Sequence, residues 1–465
     1  MGVAVPAAIE EFRILKLKEL GTNAYRCSHN PPSRNILDLC DKYGLVVIDE
    51  NRSFNAGKYW TSNIEWLIKR DRNHPCVVAW SIFNEEPLQG GELGEQIARY
   101  LIGHVHKYDT TRPTIGAMNG GFFDRRTARN VLDMVGFNYQ YNNIERFHRE
   151  HPDIPCLLTE GSSAFETRGE YTTDRKKLTC TMYDEYGASW GSTHRYDWKM
   201  VTTHPFLAGT FVWTGFDYHG EPTPYGNDYP ANSSYFGIMD MCGFPKNAFY
   251  LRQAMWLTKP VIAMIPHWTW PGKEGQPIKV FCSTNAEQVK FILNDKEIGT
   301  FDVDKVDMLT KEINYEPGKL VAIGLKNGKE IARTEIVTTS EPVALKLEAF
   351  KQSLNGDGYD ATPITISAVD KNGNVVPDAA NMVTIEVAGG RNIGVGNGDP
   401  CCIEPEKGNT RSLFHGLAQV IVQSNEGTDS PIEIKVNANG LKSASCVLNV
   451  KKVPAIPSLN SSTKK

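Results

Sequence analysis

The chain has 465 residues, of which 40% are hydrophobic and 22% charged, and its net charge is −4. This composition is typical of a folded protein of roughly two to four domains and excludes a disordered chain. The sequence has no Lys/Arg block of the kind that indicates nucleic-acid binding, and no apolar run reaches the ~20 residues of a membrane span. Neither a nucleic acid nor a membrane is therefore predicted as a partner.

In residues 1–260, short apolar runs alternate with amphipathic stretches such as 10–20 and 91–108. The runs predict seven strands, at 22–27, 45–49, 77–80, 113–117, 134–139, 155–160 and 207–213. Strands alternating with helices indicate a parallel sheet. A (β/α)8 barrel has eight strands, and the segment before the first run is helical. We therefore predict an α/β barrel of the TIM type that lacks its first strand.

After Trp256 the pattern changes to short alternating strands separated by Asn, Gly and Asp turns, as at 371–374. Two blocks of this kind, 261–341 and 342–452, predict two immunoglobulin-like β-sandwich domains. In the second block, the glycines of 394–400 predict turns. The Pro, Ser and Lys-rich segment 453–465 predicts a disordered tail.

Two of the barrel strands end in glutamates. Asn84 and Glu85 follow the third strand, and Glu160 ends the sixth. Taken alone, the Asn-Glu pair is better explained as the first turn of the next helix. Together, the two glutamates lie at the carboxyl ends of strands, which face one cavity in a barrel. Paired carboxylates across a cleft are what glycoside hydrolysis requires.

The seventh strand ends in Trp213, which Asp217, Tyr218 and His219 follow. An indole face stacks on the C–H side of a sugar ring while polar groups bind its hydroxyls, so this segment predicts a sugar platform. The alternative is aromatic core, which is favoured for Phe211 and for Phe216.

The chain resembles glycoside hydrolase family 2, particularly its β-galactosidase-like members. The motifs that carry this resemblance are 23–32 (NAYRCSHNPP), 37–41 (LDLCD), 49–50 (DE), 72–75 (RNHP), 80–85 (WSIFNE), 159–161 (TEG), 213–217 (WTGFD), 234–237 (SYFG) and 243–246 (GFPK). The resemblance implies a retaining mechanism with two glutamates roughly 5–5.5 Å apart. It makes Glu85 the acid/base, not its neighbour Glu86, and Glu160 the nucleophile.

The resemblance also implies roles for residues that contact the substrate or the nucleophile. Asn84 would bind the hydroxyl next to the anomeric carbon, and His29 and Trp213 would contact the sugar. Tyr139 would hydrogen-bond the nucleophile, and Arg26 would orient it through a salt bridge. His74 is expected to be structural. No cofactor is implied.

The ten cysteines form no CxxC pair and no zinc-type spacing. Some family galactosidases use magnesium, but the segment 49–52 lacks the His of those relatives, so no metal is predicted. Glucuronidases of the family carry an Asn-x-Lys that grips the sugar carboxylate, and 234–236 lacks that cation. We therefore expect a terminal β-galactoside as substrate. The alternatives are a β-mannosidase, a β-glucuronidase, or a catalytically impaired fragment that acts as a glycan-binding remnant.

Family members carry two further domains and one barrel strand before the part that this sequence matches. We expect the chain to be N-terminally truncated, and the missing domains or oligomerisation to be needed for a complete site. The N-terminal residues show no signal-peptide pattern. A periplasmic or extracellular location follows only from the resemblance.

Overall fold

The computed structural model describes residues 5–454 and 456. Most of the segment predicted as a disordered tail lies outside these residues, so that expectation stays a prediction. Within residues 5–454, no helix is long and apolar enough to cross a membrane.

The first part of the chain forms one sheet of seven parallel strands in sequence order. The strands are β1 (Ala24–Arg26), β2 (Val46–Glu50), β3 (Val77–Asn84), β4 (Thr114–Met118), β5 (Met134–Asn138), β6 (Cys156–Ser162) and β7 (Leu207–Trp213). The helices are α1 (Ala7–Leu20), α2 (Arg34–Tyr43), α3 (Lys58–Asp71), α4 (Gly91–His106), α5 (Tyr141–Glu150), α6 (His194–Thr203) and α7 (Asn247–Trp256). The prediction of a TIM-type barrel with seven strands is confirmed.

Local signals fix the ends of several helices. The Ser33 hydroxyl accepts a hydrogen bond from the Ile36 amide at the start of α2, and the Thr193 hydroxyl does the same for the Tyr196 amide at the start of α6. Helix α2 ends at Gly44, whose φ of 70° suits a residue without a side chain. These caps satisfy backbone groups that would otherwise be left unpaired at the helix ends.

The barrel is not closed, because β1 and β7 are the two edges of the sheet. A cleft of about 1280 Å³ lies along them and is lined by α1, β1, β7 and α7. The residues of β6 are all buried, whereas those of β7 are mostly half-buried. The described residues therefore leave two strand edges without a partner at this position.

The barrel core has two layers. Inside the strands lies a small cluster of Ile48, Ala79, Ile115 and Leu157. Between the strands and the helices lies a much larger cluster that includes Phe83. Phe83 is fully buried and directly precedes Asn84, so packing of this outer layer fixes the end of β3.

The C-terminal part consists of two mainly antiparallel β units, which confirms the predicted sandwiches. The first pairs a four-stranded with a three-stranded sheet, formed by β8 (Ile262–Ile265), β9 (Pro277–Thr284), β10 (Gln288–Leu293), β11 (Lys296–Asp302), β12 (Leu309–Asn314), β13 (Lys319–Lys326) and β14 (Lys329–Val337). The second contains β15 (Ala344–Ala349), β16 (Ser353–Asn355), β17 (Ala361–Val369), β18 (Met382–Ala388), β19 (Gly390–Gly396), β20 (Thr410–Ser412), β21 (Leu417–Ser424), β22 (Ile432–Ala438) and β23 (Leu441–Lys451). In this second unit, β23 pairs in parallel with β15 and β16.

The second unit packs on loops at the carboxyl end of the barrel. Arg168 forms a buried ion pair with Asp240 at 2.6 Å and donates to the Asn397 carbonyl at 2.7 Å.

The glycines of residues 394–400 were predicted to form turns, and the structure differs from this prediction. Gly394 and Gly396 lie in β19, and only Gly398, with a φ of 79°, adopts the left-handed conformation of a turn.

Gly116 in β4 tests how tightly the outer layer is packed. A methyl group added there would lie 2.6 Å from the Phe83 ring, so Gly116→Ala should destabilise the barrel by roughly 1–3 kcal/mol. Gly103→Ala is the matched control, because a methyl group in this exposed position of α4 meets nothing within 4 Å. It should stabilise by about 0.5–1 kcal/mol. Urea unfolding followed by tryptophan fluorescence measures both, and equal midpoints would contradict the packing described.

Candidate active site

Polar side chains occupy the carboxyl ends of the barrel strands. They come from six of the seven strands and comprise Arg26, Glu50, Asn84, Asn138, Glu160 and Trp213. All but Trp213 are buried. The parallel order of the sheet places these ends side by side, although the residues are up to 187 positions apart in sequence (213 − 26).

Arg26 is the centre of this group. Its Nη1 lies 2.8 Å from Glu160 Oε1, and its Nη2 lies 2.6 Å from Glu50 Oε2 and 2.8 Å from Asn84 Oδ1. Nη1 also donates to the Thr159 carbonyl at 3.1 Å. Burial disfavours the charged guanidinium, but Glu50 and Glu160 outweigh it and raise the pKa of Arg26. The guanidinium therefore stays charged and holds the ends of β2, β3 and β6 together.

Glu50 is the second carboxylate that forms an ion pair with Arg26. His29 Nδ1 lies 2.9 Å from its Oε1, and the Ser81 hydroxyl donates to its Oε2 at 2.8 Å. Burial favours the neutral acid, but Arg26, His29 and Ser81 hold the pKa of Glu50 below its ordinary value. Sequence reasoning noted the Asp-Glu motif here and gave Glu50 no role. The sequence signal that could have indicated a role for Glu50 is its position as the last residue of a buried strand.

Glu85 differs electrostatically from Glu160. It is half-buried directly after β3, with a φ of 49°, and forms no ion pair with Arg26. Burial raises the pKa of Glu85, and the nearby Glu160 carboxylate raises it further, against opposing effects of Asn138, His29 and Arg26. Glu160 instead has the guanidinium at 2.8 Å. The two glutamates thus have unequal electrostatic environments.

Asn138 connects Asn84 with Glu85 and was also missed from the sequence. Its Nδ2 donates to Asn84 Oδ1 at 2.8 Å and to Glu85 Oε1 at 2.9 Å. Asn84 Oδ1 thereby accepts two donors, from Asn138 and from Arg26. The Asn84 Nδ2 group has no acceptor among the described residues and is the part of this amide left for a ligand.

Several residues around Glu160 have strained backbones. Tyr139, Ser162 and Ser163 have φ values of 60–70°, which residues with side chains rarely adopt. The Tyr139 amide donates to the Glu160 carbonyl at 2.7 Å, and the Tyr139 hydroxyl lies 2.7 Å from the Ser163 hydroxyl. Burial and Glu160 raise the pKa of Tyr139, so this phenol is neutral. Such strain is commonly found at functional sites.

An aromatic wall borders the site. The His29 and Trp213 rings stack with centroids 5.2 Å apart, and His29 Nε2 lies 3.5 Å from Glu160 Oε1. Trp213 Nε1 donates to the Tyr218 hydroxyl at 3.0 Å, and that hydroxyl donates to Glu221. The structure thus brings together the seven residues to which the resemblance assigned catalytic or contact roles, whereas Asp217 pairs with Lys246 and His219 with Glu406.

The two phenylalanines assigned to the core as an alternative pack against the hydrophobic clusters of the barrel. Phe216 is buried in the outer layer, with the Arg13 guanidinium 3.8 Å from its ring centroid. Phe211 packs against the cluster inside the strands.

Metal-ligating side chains converge at a different place. Among the described residues, Asp41, His74 and Cys76 have ligand atoms within 4.8 Å of one another. His74 Nδ1 lies 2.8 Å from Asp41 Oδ2, and the Cys76 amide donates to Asp41 Oδ1 at 2.8 Å. They lie before β3 begins, at the opposite end of that strand from Glu85. These hydrogen bonds fasten α2 to the start of β3.

Comparison with known proteins identifies three matching family models. Residues 2–237 match the glycosyl hydrolases family 2 TIM barrel domain, and residues 345–447 match the glycoside hydrolase family 2 C-terminal domain 5. Residues 275–332 match a domain of unknown function, DUF4982.

Individual relatives match over almost the whole chain. The β-galactosidase BoGH2A of Bacteroides ovatus is 35% identical over 96% of this chain and 59% of its own length. A putative β-glucuronidase of Formosa agariphila is 29% identical over 89% of the chain and 43% of its own length. The crystal structure of a β-glycosidase from Bacteroides vulgatus superimposes with a TM-score of 0.86 and 30% identity, over 97% of this chain and 62% of that one.

The chain therefore spans less than two thirds of these relatives' lengths. The family model of the barrel nevertheless covers residues 2–237, which include Arg26, Glu85 and Glu160. The chain belongs to glycoside hydrolase family 2.

Proposed function

We propose that this chain carries the catalytic centre of a retaining β-glycosidase that removes terminal β-D-galactose. The observation that carries the proposal is the difference in electrostatic environment between two glutamates. Glu160 forms an ion pair with the Arg26 guanidinium, whereas the pKa of Glu85 is raised. A retaining hydrolase needs one carboxylate that attacks and one carboxylic acid that protonates.

In the first step, a Glu160 carboxylate oxygen attacks the anomeric carbon while Glu85 gives its proton to the departing glycosidic oxygen. The carbon–oxygen bond to the leaving group breaks, and a glycosyl ester on Glu160 forms. In the second step, Glu85 takes a proton from water, whose oxygen displaces Glu160. Asn84 Nδ2 donates to the hydroxyl next to the anomeric carbon, where hydrogen bonds strengthen in the transition state.

The charges of the site favour a neutral sugar. Arg26 is fully occupied by Glu50, Glu160 and Asn84. Lys246 lies close in sequence to 234–237, but it is buried against Asp217 at 2.6 Å. A sugar carboxylate would be buried without a cation, which is unfavourable. The 35% identity to a β-galactosidase supports galactose, and the β-glucuronidase and β-mannosidase alternatives are outcomes of the substrate test below.

A second candidate function, a glycan-binding remnant without turnover, is favoured by the open edge between β1 and β7. The cleft reaches Glu160, Trp213 and Tyr218 at the carboxyl end of the barrel.

We propose that an extended polypeptide segment, from further N-terminal residues or another chain, pairs with both edges and completes the site. Unpaired strand edges are templates for such pairing.

A panel of nitrophenyl β-glycosides tests the hydrolase proposal. The chain should release nitrophenol from the β-galactoside faster than from the glucuronide or the mannoside. Glu160→Gln should lower kcat/KM by at least ~10³-fold, because the covalent step is lost. Glu86→Gln is the matched control, since Glu86 neighbours Glu85 but its one ion-pair partner in the part of the chain that the structure describes is Arg52. Equal losses in both variants, or faster glucuronide hydrolysis, would contradict the assignment.

Hydrogen exchange tests the open edge. Backbone amides of β1 and β7 should exchange much faster than those of β4, which has strands on both sides. The part of the Bacteroides ovatus relative that this chain does not match, added in trans, should slow exchange in β1 and β7 and raise galactosidase activity. Equal protection of β1, β4 and β7 in the isolated chain would exclude an open edge in solution.

A further inference from the structure

Asn138, the last residue of β5, uses every polar atom of its side chain within the protein. Thr159 Oγ1 donates to its Oδ1 at 2.7 Å. Its Nδ2 donates to Asn84 Oδ1 and to Glu85 Oε1. Asn138 and Thr159 are both completely buried, so water cannot supply a replacement hydrogen-bond partner to either side chain.

Only one orientation of the Asn138 amide suits these partners. Turned by half a rotation, its Oδ1 would face Asn84 Oδ1 and Glu85 Oε1, which are both acceptors. In that alternative the Thr159 hydroxyl, whose one hydrogen-bond partner among the described residues is Asn138 Oδ1, would accept from Nδ2 and leave its own buried hydrogen without an acceptor. Thr159, together with the Asn84 Oδ1 that Arg26 holds as an acceptor, thus fixes which end of the amide meets Glu85.

We propose that Asn138 is a positioning residue, locked by Thr159, that directs the acidic proton of Glu85 to Oε2. The Asn138 N–H group points at Glu85 Oε1. This oxygen therefore accepts a hydrogen bond whether Glu85 is charged or neutral, and the proton of the neutral acid is carried by Oε2. The same amide holds Asn84 Oδ1 inward, which turns Asn84 Nδ2 outward as a donor. The inference rests on the proposed function, because it assumes that Glu85 is the proton donor.

The position of Thr159 gives this arrangement a further consequence. Thr159 directly precedes Glu160, and its carbonyl accepts from Arg26 at 3.1 Å. The strand that presents the proposed nucleophile therefore also fixes the group that controls the proposed acid. A shift of the end of β6 would change both carboxylates together.

Several charged groups act on Glu85. Burial and Glu160 raise its pKa, whereas Asn138, His29 and Arg26 lower it. Arg52 lies close by, but it donates to the Asn84 carbonyl and to Glu86. Loss of the Asn138 N–H donor, with the other groups unchanged, should make Glu85 bind its proton more tightly.

The test compares Thr159→Val with Thr159→Ser, because valine keeps the shape and removes the hydroxyl, whereas serine keeps it. The titration of Glu85 is followed by carbon-13 NMR of chain labelled at glutamate carboxyl carbons, with Glu85→Gln identifying the signal. Thr159→Val should raise the proton affinity of Glu85 about tenfold, and Thr159→Ser should leave it near the wild-type value. Asn138→Leu, which removes the same N–H from the other side, should act like Thr159→Val.

Wild-type titration in Thr159→Val and Asn138→Leu would overturn the proposal, as would an equal shift in Thr159→Ser. In an active chain, the alkaline limb of the kcat/KM profile should move to higher pH in Thr159→Val and not in Thr159→Ser. The NMR titration needs no hydrolysis. If the wild type cleaves no glycoside while Glu85 responds as expected, the proposed function fails and the positioning role of Asn138 stands.

Discussion

The ion pairs of Arg26 hold the active centre together. One buried guanidinium binds Glu50, Glu160 and Asn84, which belong to three different strands. Buried charges are unfavourable unless they are paired and hydrogen-bonded, and removing one partner of such a pair typically costs roughly 3–5 kcal/mol. The ends of β1, β2, β3 and β6 are therefore tied to one arrangement, and that arrangement is the geometry of the site.

This constraint also separates the two proposed catalytic groups. Glu160 lies against the guanidinium, whereas the Glu85 carboxyl, directly after β3, accepts among the described residues one hydrogen bond, from the neutral Asn138 amide. The strained backbones of Tyr139 and Ser163 bring their hydroxyls to 2.7 Å from each other beside β6, the strand that carries Glu160. Packing of Phe83 and its neighbours in the outer layer supplies the rigidity that such strain requires.

Much of the barrel could be predicted from the sequence. Each of the seven predicted strands overlaps an observed strand, because buried parallel strands are continuous apolar runs bounded by turns. The sandwiches were predicted less completely. Strands such as β11 (Lys296–Asp302) have mostly exposed side chains and little apolar alternation, so their sequences resemble loops.

The site residues divide in a similar way. Glutamates at strand ends and an aromatic segment are visible in sequence, and the family resemblance assigned them roles. Glu50 and Asn138 were missed because their importance lies in contacts to residues 21–54 positions away, which no local pattern reveals. The open edge follows from the strand count, since a barrel needs eight strands and the described residues provide seven.

The most direct test of the account is covalent trapping of the proposed nucleophile. A 2-deoxy-2-fluoro-β-galactosyl fluoride slows both steps but leaves the glycosyl ester long-lived, and peptide mass spectrometry locates the attached sugar. The account predicts one sugar per chain on Glu160, none in Glu160→Gln, and faster labelling when a segment that closes the edge between β1 and β7 is added. Attachment of the sugar to Glu85, or hydrolysis of the galactoside with no trapped ester, would contradict the division of roles between the two glutamates.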